Sequence, residues 1–161
     1  MKRFLAAAAA LLMASCASYD GHSLAPGASA EQVRAVMGTP TSAWRDGAGE
    51  VLEYARGPEG SHTYFVRLDG AGRMVGIDQV LNDATFNRIE IGRTTRDDVL
   101  HLIGHPASSM TVRGLEWWDY RYQQGGPKMR FNVAFDASGI VRRVERLMDP
   151  TEINSDGPSS M

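Results

Sequence analysis

Val33-Arg-Ala-Val-Met-Gly38-Thr-Pro40 returns 66 residues later as Val99-Leu-His-Leu-Ile-Gly104-His-Pro106. In both stretches apolar residues at i, i+3 and i+4 (Val33, Val36 and Met37; Val99, Leu102 and Ile103) make one helical stripe. A glycine and then a proline close each helix. Upstream, Ser29 and Thr95 read as N-caps, with Gln32 and Asp98 at the third helical position in a capping-box arrangement. Helices of under three turns do not persist alone in water, so each must lie on something.

The rest of the pattern supplies it. Tyr54 matches Tyr120, and Leu68-Asp69 with Gly72 matches Phe135-Asp136 with Gly139. Three strands are expected in each copy, at about 51–56, 62–69 and 73–80, and at about 116–122, 129–136 and 140–147. The middle strands alternate: Tyr64, Val66 and Leu68 share one face, as do Phe131, Val133 and Phe135. Thr63, Phe65 and Arg67, then Arg130, Asn132 and Ala134, take the other face. Asn82 to Ile89 reads as a short capped helix before the second copy; the first copy lacks its equivalent or replaces it with the preceding tether. The fold class is therefore α+β: two tandem ααβββ repeats with short helices packed on one face of antiparallel sheets, the sheets side by side or continuous. A repeat of this length points to duplication of a small module and places function at the junction or on a shared surface.

The N-terminus reads as an export signal over 1–15: Lys2 and Arg3, then an apolar run from Phe4 to Met13 too short to span a bilayer. Leu12-Met-Ala-Ser-Cys16 carries the only cysteine of the chain and looks like a bacterial lipoprotein signal. That resemblance implies cleavage before Cys16 and acyl chains, palmitate among them, on its sulfur and amine. Ala17 rather than Asp after the cysteine implies forwarding to the outer membrane. Residues 16–27 are a polar tether, 28–81 and 82–148 the two repeats, and 149–161 a polar tail expected to be disordered. Without the signal, 15 basic residues face 19 acidic ones, a net charge of −4 that argues against nucleic acid.

Gly92-x-Thr-Thr-x-x-Asp-Val99-x-x-x-Ile-Gly104-x-Pro106, followed by Trp118-Asp-Tyr120 and Phe135-Asp-Ala-Ser-Gly139, resembles the SmpA/OmlA (BamE-like) outer-membrane lipoprotein domain. The first copy fits less fully, with Leu52 and Leu68 in place of the Trp and the Phe. The tandem arrangement is similar to that of β-lactamase-inhibitory proteins, which grip an enzyme with a combined sheet surface. The resemblance implies a periplasmic-face lipoprotein of the outer membrane, held by its lipid and binding an envelope or periplasmic protein.

No catalytic constellation and no cofactor are read from the sequence. His101 and His105 have a spacing that can bind zinc, but His105 falls past Gly104 and no carboxylate motif accompanies the pair, so both read as solvent-exposed or capping. Asp97-Asp98 fit a helix first turn, where the dipole favours negative charge. In Glu116-Trp-Trp-Asp-Tyr-Arg-Tyr122, alternation puts Trp118, Tyr120 and Tyr122 on one face and Trp117, Asp119 and Arg121 on the other. With the first set in the core, Trp117, Asp119, Arg121, Arg130, Asn132, Arg143 and Glu145 share an open face. Trp and Arg together are the residues most enriched at binding hot spots; the same pattern also reads as a solvated sheet face. Trp44 is expected in a helix-to-strand loop, as a lid on the core. The leading expectation is a non-catalytic envelope-protein binder in outer-membrane assembly or maintenance. The alternatives are an inhibitor of a periplasmic enzyme such as a β-lactamase, and a small-ligand carrier or enzyme with its site between the repeats.

Overall fold

The computed structural model describes residues 20–153; the expected signal, Cys16 and residues 154–161 lie outside them. Helix α1 (Ala30–Met37) leads into β1 (Ser42–Asp46), β2 (Gly49–Arg56), β3 (His62–Leu68) and β4 (Met74–Gln79), an antiparallel sheet in that order. After the short α2 (Asp83–Phe86), the plan repeats as α3 (Arg96–Ile103) with β5 (Ser108–Val112), β6 (Leu115–Tyr122), β7 (Met129–Phe135) and β8 (Val141–Met148). A final turn, α4, covers Pro150–Ile153.

The correspondence between units extends to single hydrogen bonds. Both capping boxes form: Ser29 and Gln32, then Thr95 and Asp98, each satisfy the other's backbone N–H. The Tyr54 hydroxyl donates to the Gly38 carbonyl at 3.3 Å, and the Tyr120 hydroxyl to that of Gly104 at 2.9 Å. A register shift falls at Arg67/Leu68 and again at Ala134/Phe135.

Each sheet has one strand more than expected. β1 and β5 carry no strand signal because they are short edge strands, open enough that apolar alternation is not demanded of them. Each is tied to its neighbour by a two-residue turn; in the second, Arg113 and Gly114 both have positive φ (49° and 78°), as a tight hairpin turn requires. Trp44 accordingly sits on β1 rather than in a loop. The tether is shorter than expected: Gly21 packs against Ile77 and Met37, Leu24 joins the first core, and Gly27 and Ala28 hydrogen-bond to Met74. The tail also begins later, because the Asp149 N–H donates to Lys128 and its side chain caps α4 through Thr151.

Two cores result. Val33 and Met37 of α1 pack on Leu52, Tyr54, Val66 and Leu68, while Val99 and Ile103 of α3 pack on Trp118, Tyr120, Phe131, Val133 and Phe135. Burial of each such side chain contributes about 1.5–3 kcal/mol, which is what holds such short helices. The two sheets are neither side by side nor continuous: they are stacked with α3 between them. The second face of the first sheet carries Trp44, Val51, Phe65 and Val80. Trp44 meets Phe65 edge-on at 4.9 Å and lies 5.3 Å from His101 of α3. The layers therefore run α1, first sheet, α3, second sheet, and among the described residues no helix or strand covers the far face of the second sheet.

Candidate functional site

That far face is assembled by register. Trp117 stands between Met110 and Ala134, Asp119 between Ser108 and Asn132, and Arg121 beside Arg130. On the far side Asn132 pairs with Glu145 and Ala134 with Arg143. Directly opposed residues in antiparallel strands point the same way, so all of these side chains leave one face. Most of them line a shallow groove of about 490 Å³ that runs across the sheet.

Six of the seven expected residues meet there: Trp117, Asp119, Arg130, Asn132, Arg143 and Glu145. Arg121 does not. It turns to the edge of the face and pairs with Glu59 of the first unit, with Asp119 and Asp149 each 4.0 Å away. The pull comes from Glu59, held towards it by a tight turn at Pro58–Gly60 in which Glu59 itself adopts a positive φ of 56°.

Within the groove the charges are largely matched. Arg130 donates to both oxygens of Asp119, through Nε at 3.1 Å and through Nη2, and that hydrogen bonding holds its guanidinium above its already high value. Arg143 lies 3.3 Å from Glu145. One polar atom is left over: the Oδ1 of Asn132 is buried and has no hydrogen-bond partner among the described residues. The apolar side of the groove is formed by Trp117 with Met110, Val112 and Leu115. Met110 is 63% exposed. Met110 and Val112 lie on β5, which alternation does not reveal, and Leu115 opens β6 just before the expected strand; the Val112-Arg-Gly-Leu115 turn signal marks all three.

A second concavity, of about 730 Å³ and polar, lies at the junction of the units between the first sheet and α2 and α3. Asp46, Asp78 and Arg67 line one wall, Arg88, Asp98 and His101 the other. Arg67 bridges Asp78 at 3.3 Å and Asp46 at 3.9 Å. The neighbouring His105 is solvent-exposed, as expected, but also bound: its N–H donates to Glu53 Oε1 at 2.8 Å and its Nδ1 lies 2.7 Å from Oε2. Glu53 is fully buried on the first sheet, so this contact closes the end of the junction. Among the described residues no group of three or more His, Cys, Asp or Glu side chains is arranged to hold a metal ion.

No curated protein and no solved structure gives a significant match. A family model does: residues 79–145, from the end of β4 through α2, α3 and the second sheet into β8, match the outer membrane protein assembly factor BamE domain. The stretch that builds the open face is therefore the stretch that is similar to the BamE domain.

Proposed function

We propose that the chain is a non-catalytic outer-membrane lipoprotein, anchored through lipid on Cys16, that binds an envelope protein through the open face of its second sheet during assembly or maintenance of the outer membrane. The observation that carries this is the coincidence of the BamE match with a sheet whose far face no described helix or strand covers. The face has the make-up of a binding surface: an apolar strip around Trp117, a flank of matched charges, and a buried acceptor in want of a donor. Lipid anchoring would concentrate the protein where such partners sit.

Capture from detergent-solubilised envelope, comparing the parent with Trp117→Ala and Arg143→Ala, tests the face. Loss of the same captured protein in both variants is expected; an unchanged set of captured proteins refutes the reading. Lipidation has its own test: Cys16→Ser should remove the acyl mass, and an identical intact mass for parent and variant refutes the anchor. A second reading, a carrier of a small polar ligand, rests on the junction cleft. Filling that cleft with Ala84→Trp should leave capture intact. Capture lost on filling but retained in Trp117→Ala would move the site to the cleft.

A further inference from the structure

Four strands end a sheet, and three of them carry charge: Arg45 and Asp46 on β1, Asp78 on β4, and Arg142, Arg143 and Arg146 on β8. β5, Ser108-Ser-Met-Thr-Val112, carries none, and all of its residues are exposed. Charged residues and prolines are what keeps a free sheet edge from pairing with another strand. β5 has neither, and its Thr111 and Val112 favour an extended chain. The register shows which groups are free to pair. The Arg113-Gly114 turn makes Val112 and Leu115 a hydrogen-bonded pair, and alternation along the antiparallel ladder does the same for Met110 with Trp117 and Ser108 with Asp119. The N–H and C=O of Ser109 and Thr111 therefore point away from β6, to an edge that no other described strand joins. The groove of the open face runs to that edge, since Ser108 and Ser109, on opposite sides of β5, both line it. Past the end of β5 stands Arg113, exposed and with no carboxylate on it among the described residues.

We propose that the envelope partner supplies an extended segment that adds to β5 as a further antiparallel strand. Its apolar side chains fall at alternate positions beside Met110 and Val112, on the open face, and an acidic residue at its N-terminal end meets Arg113. Antiparallel pairing continues the order of the sheet and is the more stable kind per residue. A second copy pairing through its own β5 fits poorly: it brings five residues and no carboxylate for Arg113, where a stable interface uses about 20–30 residues a side. The inference rests on the reading of the open face as a binding surface and names what the partner brings to it.

The probe is the peptide acetyl-Glu-Val-Thr-Val-Thr-Val-amide, added to the full chain with Cys16→Ser and followed by amide hydrogen exchange in NMR. At saturation the N–H groups of Ser109 and Thr111 should exchange at least about tenfold more slowly. The same peptide N-methylated at both threonines, whose N–H groups would face Ser109 and Thr111, should not bind; this arm needs no variant of the strand. Thr111→Pro removes one outward donor at a place where an edge strand tolerates proline, and should abolish binding with the circular dichroism of the parent retained. Arg113→Glu should weaken the peptide about threefold, the worth of an exposed ion pair, and should bind a Lys-for-Glu peptide better than the parent does. No protection at millimolar peptide, equal binding of the N-methylated form, or no charge reversal overturns the proposal. So does a free chain in which Ser109 and Thr111 are already protected, since residues outside 20–153 or a second copy would then hold the edge. If Thr111→Pro still captures the envelope protein that Trp117→Ala loses, strand addition falls and the proposed function stands.

Discussion

Glu53 and His105 are 52 residues apart in the chain, one in each unit, yet the carboxylate of Glu53 takes both the N–H of His105 at 2.8 Å and the approach of its Nδ1 at 2.7 Å. A separation of 2.7 Å between these two atoms requires a proton on one of them. Glu53 is fully buried, so its carboxylate relies on these contacts, whereas the His105 side chain is half exposed. A hydrogen bond to a charged acceptor contributes about 1.5–3 kcal/mol. Glu53→Ala should therefore lower unfolding stability by at least that amount in urea denaturation. His105→Ala combined with it should cost clearly less than the two single losses added together. Strict additivity would show that the contact does not couple the units. Gly104→Ala attacks the same contact from the backbone, since its new Cβ would meet Glu53 Oε1 at 2.7 Å and its φ is +80°.

The two tyrosines make a graded pair. Tyr120 donates to Gly104 from a fully enclosed position at 2.9 Å, whereas the Tyr54 bond to Gly38 is longer, 3.3 Å, and only partly enclosed. Burial, reinforced by the nearby Glu53 carboxylate, pushes the Tyr120 phenol well above its ordinary range, so it donates as a neutral hydroxyl at any working pH. Tyr120→Phe should cost about 1–2 kcal/mol and Tyr54→Phe less than about 1 kcal/mol, measured by chemical denaturation. A reversed order would mean that the repeat's closing bond matters more in the first unit.

Trp117 and Trp118 are neighbours with opposite duties. Trp118 is 8% exposed and stacks edge-on with Phe135 at 4.7 Å in the second core. Trp117 lines the groove. Trp118→Ala should cost about 3–5 kcal/mol, the usual range for emptying an aromatic core position. Trp117→Ala should cost well under half of that while abolishing partner capture. Equal losses of stability would place Trp117 in the scaffold and not on a working face.

These pairs show what the chain made legible. Helix positions, caps and the inward strand residues were readable because each follows from local chemistry: a capping box, a stripe at i, i+3 and i+4, or alternation along β3 and β7. The facing of Trp117 and Trp118 followed from alternation in the same way. β1 and β5 were not readable, since Ser42–Asp46 and Ser108–Val112 lie at sheet edges with little or no buried face to impose a pattern. The stacking of the units was hidden for another reason. Glu53 and Phe65 on one sheet and Asp119 and Asn132 on the other both read as mixed, open faces; only the first is covered, and what covers it lies about fifty residues further along. Arg121 went astray for the same cause, its partner Glu59 belonging to the other unit.

Acid should loosen the fold through three turn and cap carboxylates. The backbone N–H of Thr95, and then its hydroxyl, hold Asp98 below the ordinary carboxylate range. The Ile140 N–H and then the Arg142 guanidinium do so for Asp136, and the Thr151 N–H and hydroxyl for Asp149. In the unfolded chain each group returns to an ordinary value of about 3.9. The folded values are the lower ones, so the stabilisation is fully present above the unfolded value and is lost as pH falls through it towards the folded values. Thermal melts followed by circular dichroism should show a midpoint that is flat from neutral pH down to about pH 5 and falls below it. Asp136→Asn and Asp149→Asn keep an amide oxygen for the same backbone donors but remove the titration. Each should begin from a lower midpoint at neutral pH and fall less on acidification, and the double variant less again. A double variant that loses as much as the parent would show that the acid response arises elsewhere in the molecule.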